Sequence, residues 1–524
     1  MFAIITGMQT AVTSTHLDAD DLERMLREKD DIIEKKSDVI AELQGRIEVL
    51  EQYLRLARQK RFGSSSEQMP NQGRLFNEVE VIADEAEAQA PEQDKPDTLS
   101  NKRGRKGLSQ NLPREQVFIN LPDEDKVGAI DTFYTKVKEE LDIVPPKARI
   151  LEYMQEKAVF GGEGQRRIES AVMPKHPIGK VMASISLLAY IVIAKYMDGL
   201  PLHRLERIMG RYGADITRTS MANWVITLSK QCQPLIHLMR AHQHAGPLIY
   251  ADETRIQVHN EPGYDNTGHK QMWITVGGPP DRPSVLFEYD PSRSKEVAFR
   301  LLEGYKGYVQ TDGYGGYAQA CRQPDIIWVG CWDHARRKFK EAQDGQPKNK
   351  QKDSLADIAL KKIGQLYRIE RQLKPLSDAQ RYLERQKHSV PLLNELKCWL
   401  DANKDSVPKD TLTGKAFTYL SNQWSKLIRY CDDGQLRMSN IIAENAIRPF
   451  VIGRKAWLFA NTPGGARASA VFYSLVETAK ANKIDPHEYL CLIFKALPYA
   501  DTVEKLEELM PWNVKDELNS SKRK

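Results

Sequence analysis

The chain has 524 residues, more than one hydrophobic core organises, so roughly two to four domains are expected. Hydrophobic residues make up 41% and charged residues 28%, the balance of a soluble globular protein with solvated segments, and the net charge of +5 excludes a strongly acidic or strongly basic chain. Six cysteines without a CxxC pair exclude a disulfide framework and a structural zinc cluster, and point to a reducing cytoplasm. The most apolar stretch, 181–194, is too short to span a bilayer and is closed by Lys195, and the N-terminus has no basic lead or clear cleavage site, so neither membrane insertion nor secretion is expected.

After an N-terminal tail (1–21), a heptad runs over 22–57. Leu26, Ile33, Ile40, Ile47 and Leu54 fill one seam position; Leu22, Lys29, Lys36, Leu43, Leu50 and Ala57 fill the other. Ile or Leu at one position and mostly Leu at the other suit a parallel two-stranded coiled coil, with the two lysines weakening its first half. A coiled coil is therefore expected over 22–62. A long charged helix followed by a linker has no evident partner in its own chain, which favours self-association as a homodimer or higher assembly. Residues 63–112 read as a disordered linker, acidic over 78–98 and basic at Lys102-Arg-Gly-Arg-Lys106. Arg103 and Arg105, the latter close to glycines on either side, could lie in a DNA minor groove or simply belong to a basic linker.

Residues 113–170 form a small mixed segment and 171–245 a helical region. Leu202–Gly213 reads as a helix with glycine as its stop, and Thr217–Trp224 opens another with Thr or Ser as its cap. Two helices joined by a short glycine-containing turn are compatible with helix-turn-helix, which would present Arg211 and Arg218 to DNA. A helical bundle buttressing the next domain is the competing reading, because Met221, Trp224 and Val225 are core-like.

From Gly246 the pattern changes to strands: Leu248–Val258, Gln271–Val276 and Val285–Tyr289, then a helix over Lys295–Tyr305, a strand Tyr308–Thr311, a short helix Tyr314–Arg322, a strand Ile326–Val329 and a helix start at Trp332. The order β-β-β-α-β-α-β-α is that of a ribonuclease H-like α/β core, in which the first and fourth strands are neighbours. This catalytic domain would comprise 246–345 and 435–482, interrupted by an all-helical insertion over 346–434. Met438–Arg448 reads as a returning helix, Thr462-Pro-Gly-Gly465 as a turn, Arg467–Ala481 as a helix, and 483–524 as a helical tail with Asp485-Pro486 capping a last helix.

Three acids sit where acids are awkward: Asp252 after an apolar run, Asp312 between a strand and a glycine-rich turn, and Glu444 on the returning helix. Two strand-borne aspartates and a helix-borne glutamate can hold two Mg²⁺ or Mn²⁺ ions roughly 3.5–4 Å apart for chemistry at a phosphodiester. Oxygen ligands suit these hard ions, and no zinc is expected, because no thiolate and imidazole cluster stands at ligand spacing. Taken singly, a strand-end aspartate is usually a turn former. Glu253 should point to the opposite sheet face from Asp252, while Asp432, Asp433 and Glu477 are rivals for the third place. Arg448 and Lys455 follow Glu444 and could grip DNA phosphates, or Arg448 could pair with Glu444 itself. His334 and Arg337 could likewise face phosphates, although a capping or core role is commoner for such a histidine.

Taken in order, Arg61-Phe-Gly-Ser-Ser-Ser-Glu67, Gly104-Arg-Lys-Gly107, Leu112-Pro-Arg-Glu115, Leu202–Trp224, Tyr250-Ala-Asp-Glu-Thr254, Thr311-Asp-Gly-Tyr-Gly-Gly-Tyr317, Gly330–Phe339, Asn440–Phe459 and Leu509-Met-Pro-Trp512 resemble the DDE transposases of the insertion sequence 66 type over nearly the whole chain. The resemblance implies that Asp252, Asp312 and Glu444 are the metal-binding triad and that the activity is cleavage and joining of DNA at transposon ends. It further implies transposon terminal repeats and target DNA as partners, helper proteins of the element, and a bacterial cytoplasmic protein associated with the nucleoid when bound to DNA. The family usually carries a four-cysteine zinc element before its helical region, whereas residues 102–231 here contain no cysteine. A ribonuclease H-like nuclease that cuts without joining and a catalytically silent DNA-binding regulator are the competing functions.

Overall fold

The computed structural model describes residues 19–62, 114–120, 133–141, 147–160 and 167–521, with single positions at 122, 124 and 131. The described residues fall into two compact units, one drawn from 1–87, 175–200 and 223–524, the other from 88–174 and 201–222. Arg103, Arg105 and all of the expected linker lie outside the described residues.

The smaller unit contains an exposed antiparallel hairpin, β1 (Lys157–Phe160) and β2 (Arg167–Ser170), paired Lys157↔Ser170 through Phe160↔Arg167. It also contains α3 (Leu202–Arg211) and the first turn of α4 (Arg218–Gln231). Gly213 closes the approach to the intervening turn at φ +78°, a conformation that costs glycine little. Thr217 caps α4, its hydroxyl accepting from Ser220 N at 3.2 Å, and the free Arg218 N–H donates to the Glu206 carboxylate at 3.0 Å. Arg211 and Arg218 are exposed, and Met221 is buried.

In the larger unit, α1 (Ala19–Phe62) is one continuous helix. Leu26, Ile33, Ile40, Leu43, Ile47, Leu50 and Leu54 are all more than half exposed along it, so the heptad stripe is not consumed by the protein's own core. Its last turns do find a partner in the chain, contrary to expectation. Leu56 is buried, Arg55 Nε donates to Gly345 O at 3.0 Å, and Lys415 lies over the Tyr53 ring at 4.8 Å while donating to its hydroxyl. The Arg55, Tyr53 and Leu56 contacts depart from the seam spacing, and that is why a strict heptad reading overlooked them.

Next come α2 (Ile185–Tyr196), α5 (Gln233–His244) and a six-stranded sheet. Five of its strands are β3 (Leu248–Val258), β4 (His269–Gly277), β5 (Ser284–Asp290), β6 (Gly307–Gln310) and β7 (Ile326–Val329), in the order β5-β4-β3-β6-β7. The first three are antiparallel; β6 and β7 join in parallel. α6 (Lys295–Leu301) crosses over between β5 and β6 and packs Val297, Ala298 and Leu301 against Ile249, Ala251 and Trp273. Burying each such side chain contributes about 1.5–3 kcal/mol. The helix expected over Tyr314–Arg322 is instead two 3₁₀ turns, Gly315–Ala318 and Ala320–Arg322, because Gly315-Gly316 carry little helix propensity.

α7 (Trp332–Asp344) follows β7, then the one-turn α8 (Lys348–Gln351) and the helices α9 (Leu355–Leu373), α10 (Asp378–Glu384), α11 (Val390–Asn403) and α12 (Leu412–Leu427). α9 and α12 pack on α7, with Phe339 edge-on to Phe417 at 5.7 Å and Trp332 Nε1 donating to Leu427 O at 2.8 Å. The chain returns through α13 (Ile441–Trp457), which starts later than expected and runs through Pro449. The carbonyl that loses its donor there belongs to Asn445, on the exposed face, where solvent is within reach. A short β8 (Phe459–Ala460), not foreseen, adds to β3 in parallel.

The expected turn at 462–465 is the first turn of α14 (Pro463–Ala481): Thr462 caps it, accepting from Gly465 N at 3.2 Å, and Pro463 needs no donor there. α14 covers the outer edge of the sheet. Thr478 Oγ1 accepts from Val285 N at 3.0 Å and donates to Val285 O at 2.9 Å, while Ser474 Oγ accepts from Phe287 N at 2.8 Å. Residues four apart on one helix face thus satisfy backbone groups two apart on β5, closing an edge that would otherwise invite another strand. Asp485 caps α15 (Pro486–Ala496) as expected, but α16 (Val503–Glu508) and α17 (Pro511–Ser521) follow it. Among the described residues no helix is long and apolar enough to cross a membrane.

Candidate active site

Asp252 sits inside β3, not at its end. The parallel register Tyr250↔Gln310 stops where β6 stops; continued for two residues, it sets Asp312 level with Asp252. Asp312 heads a turn, its Oδ1 accepting from Tyr314 N at 2.8 Å. The next residue must be glycine, since a Cβ at Gly313 would stand 2.7 Å from the Tyr419 ring.

Glu444 is delivered by the strap before α13, and every part of that strap is tied to the sheet or to α7. Gln310 Nε2 donates to Arg437 O at 2.7 Å, and Trp332 N donates to Met438 O at 2.8 Å. Ser439 donates to the buried Asp333 carboxylate, which also accepts from Tyr367. Asn440 Nδ2 donates to Ala251 O at 2.9 Å, beside Asp252, and Asn440 O accepts from Glu444 N at 3.2 Å. Arg385, fully buried, anchors the end of the insertion by pairing with Glu370 at 2.7 Å and donating to the Tyr430, Asp433 and Leu436 carbonyls. Glu444 is 3% exposed at the end of this chain of contacts.

Asp252 feels the other two acids. Burial pushes Asp252 well above the ordinary aspartate range, and the neighbouring Glu253, Asp312 and Glu444 push it further. Asp312 is also raised, by burial, against the lowering effect of the Tyr314 N–H, Arg293 and Arg337. Among the described residues no basic side chain forms an ion pair with Asp252 or Asp312. Two buried aspartates without an ion-pair partner fit a bound divalent ion, and their oxygen donors suit Mg²⁺ or Mn²⁺.

Glu253 behaves as alternation requires. It faces the other side of β3, where Arg293 Nε donates to it at 3.0 Å and the Tyr317 hydroxyl at 2.8 Å. Arg293 in turn lies 3.9 Å over the Tyr314 ring. The rivals for the third acid stand elsewhere: Glu477 pairs with Lys480 on α14 at 2.9 Å, and Asp433 caps Gln435 N at 2.9 Å in the turn after α12.

Of the other expected residues, His334 and Arg337 come close. His334 Nδ1 lies 3.9 Å from Glu444 Oε1, and Arg337 is near enough to lower Asp312. Burial, with Arg337 and Lys338 nearby, lowers His334 to about 3, so its ring is neutral. Arg448 is half-buried one turn beyond Glu444, whereas exposed Lys455 is roughly 16 Å further along the axis than Glu444 at 1.5 Å per residue. Arg218 belongs to the smaller unit.

Sequence reasoning missed Asn440, Gln310, Arg293, Tyr317 and Arg454, which donates to Thr254 on the Asp252 face at 3.1 Å. These are ordinary polar residues whose importance comes only from contacts distant in sequence. It also missed Cys331, whose sulfur gathers with His334 and Glu444, ligand atoms within 4.8 Å of one another. The i,i+3 spacing of Cys331 and His334 was the available signal, and the expectation of no thiolate–imidazole cluster is corrected by it.

Sequence comparison settles the family. Residues 180–468 match the transposase IS66 family. The chain belongs to that family. Residues 474–512 match the IS66 C-terminal element, and 49–117 match the region described as "Transposase C of IS166 homeodomain". Similar proteins occur in Sinorhizobium fredii (strain NBRC 101917 / NGR234). "Uncharacterized protein y4qI" is 30% identical over 460 residues, 84% of this chain and 83% of its own. "Uncharacterized protein y4hP" is 28% identical over 502 residues, 91% and 89% of the two chains. In this IS66 family member the matched transposase region contains the whole acidic site, and the homeodomain-described region overlaps the end of α1.

Proposed function

We propose that this chain is a DDE-type transposase that binds transposon terminal repeats and catalyses metal-dependent cleavage and strand transfer, with Asp252, Asp312 and Glu444 as the metal-holding acids. The observation that supports the reading is the upward push that Asp312 and Glu444 exert on buried Asp252, with no described ion pair to Asp252 or Asp312. The strand order β5-β4-β3-β6-β7, with a helical insertion between α7 and α13, supports a ribonuclease H-like catalytic domain over 246–345 and 435–482.

Asp252, Asp312 and Glu444 would hold divalent ions, which would supply activation of a water or 3′-hydroxyl nucleophile and stabilisation of the leaving oxygen. The chain's own residues prepare this. The Tyr314 N–H fixes the Asp312 carboxylate, and Asn440 and Gln310 fix the strap that carries Glu444. Arg337, close to Asp312, offers positive charge to a phosphate, and Arg448 and Lys455 extend that charge along α13. Arg218 at the start of α4, with Arg103 and Arg105, would contact the repeats away from the chemistry. The exposed stripe on α1 would pair two copies as a coiled coil to hold two ends together. Target DNA, and helper proteins of the element, would complete the assembly.

The test is a strand-transfer assay with a labelled terminal repeat and Mg²⁺ or Mn²⁺. Joined product from wild type, absent from Asp252→Asn, Asp312→Asn and Glu444→Gln, supports the reading. Cleavage without joining would make the protein a nuclease, and DNA binding without either would make it a regulator.

A further inference from the structure

Cys331 and His334 open α7 as its N-cap and third residue, and the fold brings Glu444 from α13 onto them. Their ligand atoms lie within 4.8 Å of one another, and Cys331 and Glu444 are buried. The ordinary explanation is a capping cysteine and a core histidine. It accounts for part of the geometry, since Cys331 Sγ accepts from Asn440 N at 3.3 Å. It does not account for His334 Nδ1, which is sealed from solvent without a hydrogen-bond partner. Buried ring nitrogens almost always have one. The atom facing it, Glu444 Oε1, is 3.9 Å away. That is too long for a hydrogen bond, but two bonds of about 2.0–2.2 Å to one shared ion would span it with a closure of a few tenths of an ångström at most.

We propose that Cys331, His334 and Glu444 form a mixed sulfur, nitrogen and oxygen site for a borderline divalent ion of the zinc class, distinct in donor chemistry from the all-oxygen site with which it shares the Glu444 carboxylate. Three protein ligands leave a fourth position open, the pattern of sites that also bind water or substrate. On binding, the Cys331 S–H bond breaks, sulfur keeps the electron pair and bonds the ion, and the proton goes to solvent. The proposal goes beyond the transposase reading. It shares Glu444 with it but does not depend on chemistry at Asp252 or Asp312.

The experiment is titration of metal-free full-length protein with Co²⁺, followed in the near-ultraviolet, where a cobalt–thiolate bond gives a charge-transfer band. One equivalent per chain should raise the band in wild type. Cys331→Ser should abolish it, and should fold, because serine is a strong helix N-cap; an unchanged Tm checks that. His334→Ala and Glu444→Gln should weaken binding about tenfold or more, and Asp252→Asn and Asp312→Asn should keep the band while losing strand cleavage. Absence of a band in wild type, or a band that survives Cys331→Ser, overturns the proposal. Wild type that cleaves DNA in Mg²⁺ but shows no band removes this site and leaves the transposase reading standing. A full band in protein that cleaves under no condition does the reverse.

Discussion

Asp252 and Glu253 are neighbours in sequence with opposite fates. The strand turns Glu253 toward α6 and the 3₁₀ turns, where Arg293 and Tyr317 neutralise it and the Tyr314 ring covers the guanidinium. It turns Asp252 toward α13, where Asp312 and Glu444 add to the upward push of burial and Glu253. One face stabilises its acid with protein groups. The other gathers acids and supplies no described ion-pair partner for either aspartate, an arrangement that costs stability until a cation arrives. A buried carboxylate is therefore read as structural or functional by whether a protein cation pairs with it.

The sharpest way to break the comparison is mutation at each side. Asp252→Asn should lower strand cleavage by at least about 10³-fold, because a lost ligand removes stabilisation present mainly in the transition state. DNA binding, read by gel shift, should persist. Glu253→Gln should leave cleavage within about tenfold of wild type and instead lower stability by about 1–2 kcal/mol, since one partner of a half-exposed ion pair is lost but the Tyr317 bond can be kept. Equal loss of cleavage from both would erase the distinction between the faces.

Next in size is the strap. Asn440→Ala removes the bond to Ala251 and frees the start of α13, so cleavage should fall roughly 10–100-fold from imprecise placement of Glu444. Measured KM should change little.

A smaller effect is on stability. Because Asp252 is raised in the folded state, the folded protein keeps that proton to higher pH than the unfolded chain. The metal-free protein therefore loses stability as pH rises from 3.8, the ordinary value, through the raised one. Asp252→Asn should raise the metal-free Tm at neutral pH, by roughly 1 °C for each kcal/mol relieved in a unit of this size. Mn²⁺ should raise the wild-type Tm and do so less in the variant. Differential scanning calorimetry at two pH values checks both signs.

The smallest effect on the site should come from α1. Ile40→Asp with Ile47→Asp places like charges in the seam and should convert a dimer to monomer by light scattering. The acidic site should stay folded, because the contacts that dock α1, through Tyr53, Arg55 and Leu56, lie beyond both positions. A wild-type monomer would show that the stripe serves something else.

Much of the larger unit was legible because strands and helices there follow period and cap. Alternation separated Asp252 from Glu253, and Asp485 marked the start of α15. Other features depend on partners far away in the chain. Thr462 reads as a turn residue until Pro463 and Gly464 are seen inside a helix. Asn440 has no local signal for its bond to Ala251, and Ser474 and Thr478 close the β5 edge from across the fold. The acids themselves were legible singly; the level register of Asp252 with Asp312 and the strap behind Glu444 required coordinates.

Anomalous diffraction from crystals grown with Mn²⁺ locates the cation directly. The account predicts an anomalous peak within about 2.0–2.4 Å of carboxylate oxygens of Asp252 and Asp312, and none at Glu253, which Arg293 already neutralises. A peak at Glu253, or Mn²⁺ bound elsewhere with Asp252 and Asp312 bare in protein that still cleaves DNA, would contradict it.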